Sequence, residues 1–129
     1  MLDHTIITVT SDNGGCPGDG SNNLPFRGGK FQSFEGGVHV PAFVWSGAMS
    51  SDLQGSTEYG LMHAVDWMPT LLRATGAATW EQMGDLDGMD LSAPLFSGSA
   101  PSRGYREEIL LRMNKWEETS QPPYRFDHK

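Results

Sequence analysis

The strongest hydrophobic pattern lies near the start of the chain, where residues 5–10 read Thr-Ile-Ile-Thr-Val-Thr. An unbroken run of β-branched residues predicts a buried β-strand. The predicted strand leads into Asp12 and Asn13, which two glycines follow. Carboxylate and carboxamide oxygens suit a hard cation, and the carboxyl end of a strand is where open α/β sheets bind ligands. Asn-Gly is also a strong turn signal, so these residues alone leave a turn and a cation site both open.

Two further strands are predicted downstream. Residues 38–45 form the second, with Pro41 indicating a strand start or a sheet edge, and residues 108–113 form the third. Residues 14–30 between the first two strands are rich in glycine and contain two prolines. Because loops of this length in compact domains are usually functional, this segment is a candidate site region.

A helix is predicted from Asp66, as its N-cap, to Gly76, with Pro69 in the first turn. Residues 85–91 form an acidic turn, and a short helix is expected to follow it and end at Phe96. The 3-4 spacing of apolar positions in the longer helix predicts one buried face. That face would consist of Met68, Leu71, Leu72 and Thr75.

Composition narrows the functional classes. The 129 residues, 37% of them hydrophobic, fit one globular domain. A formal net charge of −7 argues against nucleic-acid binding and suits a cation site. Apolar runs are too short for a membrane span, and the first residues lack the pattern of a signal peptide. Cys16 is the single cysteine, so it allows no intrachain disulfide.

Five motifs occur in order between residues 5 and 113. They are Ser11-Asp12-Asn13-Gly14-Gly15, Asn22-Asn23-Leu24-Pro25-Phe26-Arg27-Gly28-Gly29-Lys30, Glu35-Gly36-Gly37-Val38-His39-Val40-Pro41, His63-Ala64-Val65-Asp66-Trp67-Met68-Pro69-Thr70-Leu71 and Leu86-Asp87-Gly88-Met89-Asp90. In their order and spacing, these motifs resemble the type I sulfatases, and the arylsulfatase B-like group most closely.

This resemblance implies an α/β fold, a fragment of an alkaline-phosphatase-like fold with a mixed sheet and flanking helices. It implies that Asp12 and Asn13 match two ligands of a single calcium ion, and that Lys30 matches the lysine that contacts a sulfate oxygen. An ammonium group and a divalent ion would neutralise the charge that develops as the S–O bond breaks. The family's nucleophile is a formylglycine made from a Cys/Ser-x-Pro-x-Arg motif, expected in a part of the domain that precedes Asp12.

Other positions in the motifs have structural interpretations. Arg27 is expected to brace the loop by hydrogen bonds, and Glu35 to be a structural acceptor or cap. His63 is expected to be a packed, hydrogen-bonded histidine. His39 stands where the family commonly has arginine, which puts a local ion pair in doubt.

One motif is interpreted as a coincidence. Ser99-Ala100-Pro101-Ser102-Arg103 fits the serine form of the formylglycine motif, yet it follows Asp12 and lacks the family's continuation. The family's paired N-terminal aspartates have no counterpart before Asp12. We therefore expect residues 1–113 to be the C-terminal portion of a sulfatase catalytic domain and residues 114–129 a polar extension. Alone, this chain is expected to show no turnover and at best weak calcium binding.

The resemblance implies sulfate-ester hydrolysis, with a sulfated sugar as the expected substrate and no nucleic-acid partner. It also implies a lysosomal, extracellular or periplasmic location. Two alternatives stay open: a non-catalytic binding or partner fragment, and a related phosphohydrolase of the alkaline phosphatase superfamily. Asparagine beside Asp12 and the loop ending in Lys30 favour sulfate.

Overall fold

The computed structural model describes residues 2–101 and 104–111, in which two strands and three α-helices are joined by loops and short turns. The strands are β1 (Ile6–Thr10) and β2 (Ala42–Ser46), and the helices are α1 (Glu35–Val38), α2 (Trp67–Thr75) and α3 (Trp80–Met83). Short 3-10 turns occupy Leu2–His4, Pro17–Asp19, Ser51–Leu53 and Ala64–Asp66, and Ala93–Ser97 forms a π-helical turn. No helix in this part of the chain is long and apolar enough to cross a membrane.

The two strands pair antiparallel, with Ile6 opposite Ser46 and Thr10 opposite Ala42. Both strands were predicted, but β2 begins after Pro41 and not at residue 38. Proline has no N–H to donate to a ladder, so it stands immediately before the strand, as its predicted position at a strand start requires. The residues before it fold into the single turn of α1.

The prediction that β1 is buried is wrong. Ile7, Val9 and Phe43 are 41%, 50% and 55% exposed. They share one face, because Val9 lies opposite Phe43 and Ile7 opposite Trp45. A strand is buried only when neighbours and layers cover it on both faces, and within the described residues β1 pairs with β2 alone. The sheet therefore presents an apolar face to solvent.

The third predicted strand is also wrong where it can be compared with the structure. Residues 108–111 form no strand, and residues 112–113 lie outside the described part of the chain, as do residues 114–129 of the predicted extension. The nearest pairing is a single bridge between Leu61 and Arg106. The described part thus combines helices with an antiparallel sheet.

Helix α2 ends where the sequence predicts. Gly76 adopts a left-handed conformation with φ 67°, and the amide of Ala77 donates to the carbonyl of Leu72 over 3.0 Å. This pattern satisfies carbonyls at the helix terminus that would otherwise lack donors. Pro69 lies in the first turn, as predicted.

The predicted buried face of α2 is wrong at Met68 and Thr75, which are exposed, whereas Leu71 and Leu72 are half-buried. Met68 is 53% exposed, whereas Pro69 and Thr70 are fully buried. The Thr70 hydroxyl accepts a hydrogen bond of 2.9 Å from the amide of Leu91. Since Met49 and Leu91 are the buried apolar side chains of the described residues, polar anchoring decides which face of this helix is covered.

Asp66 occupies the predicted N-cap position of α2, but its side chain makes no capping hydrogen bond to that helix and instead anchors other segments. Its carboxylate, 0% exposed, accepts hydrogen bonds of 2.7 Å from the amides of both His63 and Met89. The Arg106 guanidinium donates to both carboxylate oxygens, at 2.6 and 2.8 Å, and also to the carbonyl of Asp87 at 2.7 Å. One buried ion pair therefore joins three segments that are distant in sequence.

Burial alone would raise the pKa of Asp66, but the hydrogen bonds from Arg106, Met89 and His63 and the charge of Arg106 hold it below its ordinary value of 3.8. A carboxyl group with a lowered folded-state pKa contributes stability above its unfolded pKa. That contribution is lost as the pH falls through the lowered value. The pair thus makes the fold sensitive to acid.

We expect Asp66→Asn to lower the free energy of unfolding at pH 7 by about 3 kcal/mol, because it leaves the Arg106 charge without its partner. Urea unfolding followed by tryptophan fluorescence measures this change. Asp52→Asn, at an exposed acidic position, is the matched control and should change stability by less than about 0.5 kcal/mol. Between pH 5 and 3 the wild type should lose more stability than Asp66→Asn, and equal losses would contradict the assignment.

Candidate functional site

The segment that follows β1 is held in place by its own polar groups. The Ser11 amide donates to the carbonyl of Pro41 over 3.3 Å, and the Ser11 hydroxyl donates to the carbonyl of Asn13 over 2.8 Å. The Asn13 amide group donates to the carbonyl of Gly14 over 3.0 Å. Asp12 lies within this turn and is exposed. Asn13 and Gly14 therefore form the predicted turn. The same geometry is compatible with the alternative prediction, a cation site, because the Asp12 side chain is exposed.

Gly14 packs against the backbone of α1. Its amide donates to the carbonyl of Gly37 over 2.9 Å. A Cβ at Gly14 would overlap the carbonyl oxygen of Gly36 and lie 2.9 Å from the Cα of Gly37. Glycine is required here because two backbones approach each other too closely for any side chain.

Asn23 ties the long loop back to the end of β1. Its side-chain oxygen accepts from the Gly15 amide over 2.8 Å, and its amide group donates to the carbonyls of Gly15 and Gly28 over 2.9 and 3.0 Å. The Lys30 amide donates to the same Gly15 carbonyl over 3.0 Å. These bonds bring Lys30 beside the turn that carries Asn13.

A cavity of about 470 Å³ opens between this turn and the loop. Asn13 and Lys30 both line it, so the structure brings these two predicted site residues together. Asp12 is the neighbour of Asn13 and does not line the cavity. The full lining is Ser11, Asn13, Gly14, Gly15, Cys16, Asp19, Ser21, Lys30 and Phe31.

The donor chemistry of Asp12 and Asn13 fits calcium in kind. A carboxylate and an amide carbonyl are hard oxygen ligands, and calcium takes six to eight such oxygens. Two residues supply part of that set, so further donors are required. Within residues 2–101 and 104–111, no three His, Cys, Asp or Glu side chains group closely enough to hold a metal ion.

Several residues that line the cavity were not predicted as site residues from the sequence, among them Cys16 and Asp19. Partial burial raises the pKa of the Cys16 thiol, and the neighbouring Asp19 carboxylate raises it further by hydrogen bonding and charge. Phe31 and Ser21 complete the group. No periodic pattern distinguishes these residues, and only their place in the long loop, or directly after it for Phe31, could have indicated a role.

The other motif residues support the loop. Arg27 lies over the ring of Phe34, with its guanidinium carbon 4.2 Å from the ring centroid, and its carbonyl accepts from the Gly36 amide over 2.8 Å. Glu35 contacts His39, with 2.7 Å between the carboxylate and Nδ1. The histidine therefore keeps a local pairing where the family commonly has arginine.

His63 is half-buried, and its ring accepts from the Val65 amide over 3.4 Å. This confirms the predicted hydrogen-bonded histidine, which caps the 3-10 turn before α2. In the segment of residues 99–103, Ser99 is exposed, while Ser102 and Arg103 lie outside the described residues.

Comparison with known proteins gives the same family as the motifs. The sulfatase family model matches residues 1–77. Mouse (Mus musculus) arylsulfatase J is 35% identical over 110 residues, covering 85% of this chain and 17% of the relative. Dog (Canis lupus familiaris) N-acetylgalactosamine-6-sulfatase is 30% identical over 142 residues, covering 94% of this chain and 26% of the relative. Mouse steryl-sulfatase is 39% identical over 107 residues, covering 74% of this chain and 16% of the relative.

The chain belongs to the sulfatase family. It spans 16–26% of the length of these three relatives. The cavity at the end of β1 therefore lies in a segment of a sulfatase.

We expect Gly14→Ala to lower the free energy of unfolding by about 1–3 kcal/mol, because the added methyl group forces apart two backbone segments. The same variant should shift the amide resonances of Gly15 and Lys30, whose positions depend on this contact. Gly18→Ala is the matched control, since a Cβ at Gly18 meets nothing within 4 Å. If both variants unfold at the same urea concentration, the close backbone approach does not support the site.

Proposed function

We propose that this chain forms part of the active site of a calcium-dependent sulfatase with an alkaline-phosphatase-like fold, which hydrolyses sulfate esters. The observation that carries the proposal is the shared cavity of Asn13 and Lys30 at the end of β1. Asp12 and Asn13 act as two of the calcium ligands. Lys30 contacts a sulfate oxygen near the leaving group.

The proposed roles of Lys30 and of calcium follow from their positive charge. The Lys30 ammonium group is a compact cation on an exposed side chain at the cavity, and it stabilises negative charge on the sulfate group as the ester bond breaks. Calcium, when bound, supplies further positive charge to the same group. Asn13 is held by the turn after β1, and hydrogen bonds to Gly15 fix the loop that presents Lys30. The backbone therefore orients both residues before substrate binds.

The expected substrate is a sulfated sugar, in keeping with relatives named N-acetylgalactosamine-6-sulfatase. The proposed location is lysosomal, extracellular or periplasmic. The formylglycine nucleophile belongs to another part of the domain, so the chain of 129 residues is inactive by itself. Binding of the sulfate group does not require the nucleophile, so we expect the chain alone to bind this group.

We expect the isolated chain to bind sulfate weakly in the presence of calcium, and Lys30→Ala to weaken that affinity about tenfold, which equals about 1.4 kcal/mol. Arg27→Ala is the matched control: it removes a cation from the same loop that lies over Phe34 and does not line the cavity. It should change the affinity less than twofold. Chemical shifts of the Gly15 and Lys30 amides during a sodium sulfate titration at constant ionic strength measure both.

Two outcomes would contradict the proposal. Equal losses of sulfate affinity in Lys30→Ala and Arg27→Ala would indicate that the net charge of the chain attracts sulfate without a specific contact from Lys30. Tighter binding of phosphate than of sulfate would favour a phosphohydrolase of the same superfamily. A parallel titration with methyl phosphate and methyl sulfate at pH 5, where both are mainly monoanions, makes this second comparison at equal ligand charge.

A further inference from the structure

Phe31 has an unusual backbone conformation. Its φ is 73°, and it is the one residue other than glycine in the left-handed region within the described part of the chain. A bulky side chain is disfavoured there because its Cβ crowds the backbone. Non-glycine residues held in this region cluster at functional sites, where the surrounding structure keeps them in place. The conformation therefore indicates that Phe31 is a candidate functional residue.

The Phe31 ring lies at the candidate sulfate-binding cavity. It is one of the lining residues and is 59% exposed. The Lys30 ammonium nitrogen lies 5.5 Å from the ring centroid, within the range of a cation–π contact. Asn13, Asp19 and Ser21 make the remaining side chains of the cavity largely polar. An aromatic surface thus stands next to the cation that is proposed to contact sulfate.

This arrangement matches the two halves of a sulfate ester. The sulfate group is anionic and suits Lys30, whereas the organic group beyond the ester oxygen has apolar surface that water solvates poorly. An aromatic ring stacks on flat apolar surfaces, either another aromatic ring or the C–H face of a sugar. Because Phe31 follows Lys30 directly in the chain, a ligand held by the ammonium group brings its organic part within reach of the ring.

We propose that Phe31 is a specificity-determining residue that contacts the organic part of the ester and selects alcohols with a flat apolar face. This inference rests on the proposed function, because it takes Lys30 as the sulfate contact. It predicts discrimination between esters that share the same sulfate group and differ in the alcohol. Small alkyl sulfates should bind through Lys30 without the aromatic contribution.

The test compares three monoanionic esters with the isolated chain: methyl sulfate, 4-nitrophenyl sulfate and glucose 6-sulfate. Amide chemical shifts during titration give the affinities. The wild type should prefer 4-nitrophenyl sulfate or glucose 6-sulfate over methyl sulfate about fivefold, in line with the strength of stacking contacts. The ester that shows the preference identifies whether aryl or sugar rings are favoured.

Phe31→Ala should remove the preference, measured as the ratio of each ring ester's affinity to that of methyl sulfate in the same variant, and Phe31→Tyr should restore that ratio. Phe34→Ala is the matched control: this phenylalanine of the same loop is 45% exposed, lies under Arg27 and does not line the cavity. Phe31→Gly provides a second truncation. Glycine accepts the left-handed backbone, so this variant should keep the fold and raise the midpoint of thermal unfolding.

Retention of the preference in Phe31→Ala and Phe31→Gly would overturn the inference and leave the proposed function standing. A preference lost equally in Phe34→Ala would also overturn it. If methyl sulfate binds wild type and Lys30→Ala with the same affinity, or binds neither, the proposed function fails and this inference fails with it.

Discussion

The candidate site depends on a contact between two backbones. Gly14, at the end of the segment that follows β1, lies so close to Gly36 and Gly37 that no side chain fits between them. The hydrogen bond between the Gly14 amide and the Gly37 carbonyl fixes this approach. Because the same turn carries Asn13 and the same loop carries Lys30, the contact sets the distance between the proposed cation ligand and the proposed sulfate contact. Rigid backbone placement of this kind is what binding sites require of their supporting structure.

The second organising interaction is the ion pair of Asp66 and Arg106. It compensates for a small apolar core, in which Met49 and Leu91 are the buried hydrophobic side chains of the described residues. A buried carboxylate is tolerated because four donors surround it, two from Arg106 and two from backbone amides. The apolar face of the sheet adds little to this core, because Ile7, Val9 and Phe43 are exposed. Within the described residues, a hydrogen-bonded polar network therefore accompanies a small apolar core.

The sequence predicts the features that local chemistry determines. The β-branched run forms β1, Gly76 ends α2 in a left-handed conformation, and the loop brings Lys30 to the cavity that Asn13 lines. It fails where distant residues decide the outcome. Asp66 occupies the predicted N-cap position, but its ion-pair partner Arg106 lies 40 residues away, so the local pattern did not indicate the buried ion pair. The burial of a strand likewise depends on neighbours that a periodic pattern cannot identify.

We propose that Asp12 and Asn13 form part of a calcium site at the end of β1. A calcium titration of the isolated chain, followed by amide chemical shifts, tests it most directly. We expect saturable shifts centred on residues 11–15, with a dissociation constant of about 1 mM or weaker. These shifts should disappear in Asp12→Ala and persist in Asp52→Ala, which removes an exposed carboxylate elsewhere. Shifts that survive in Asp12→Ala, or that centre on the acidic residues 85–90, would contradict it.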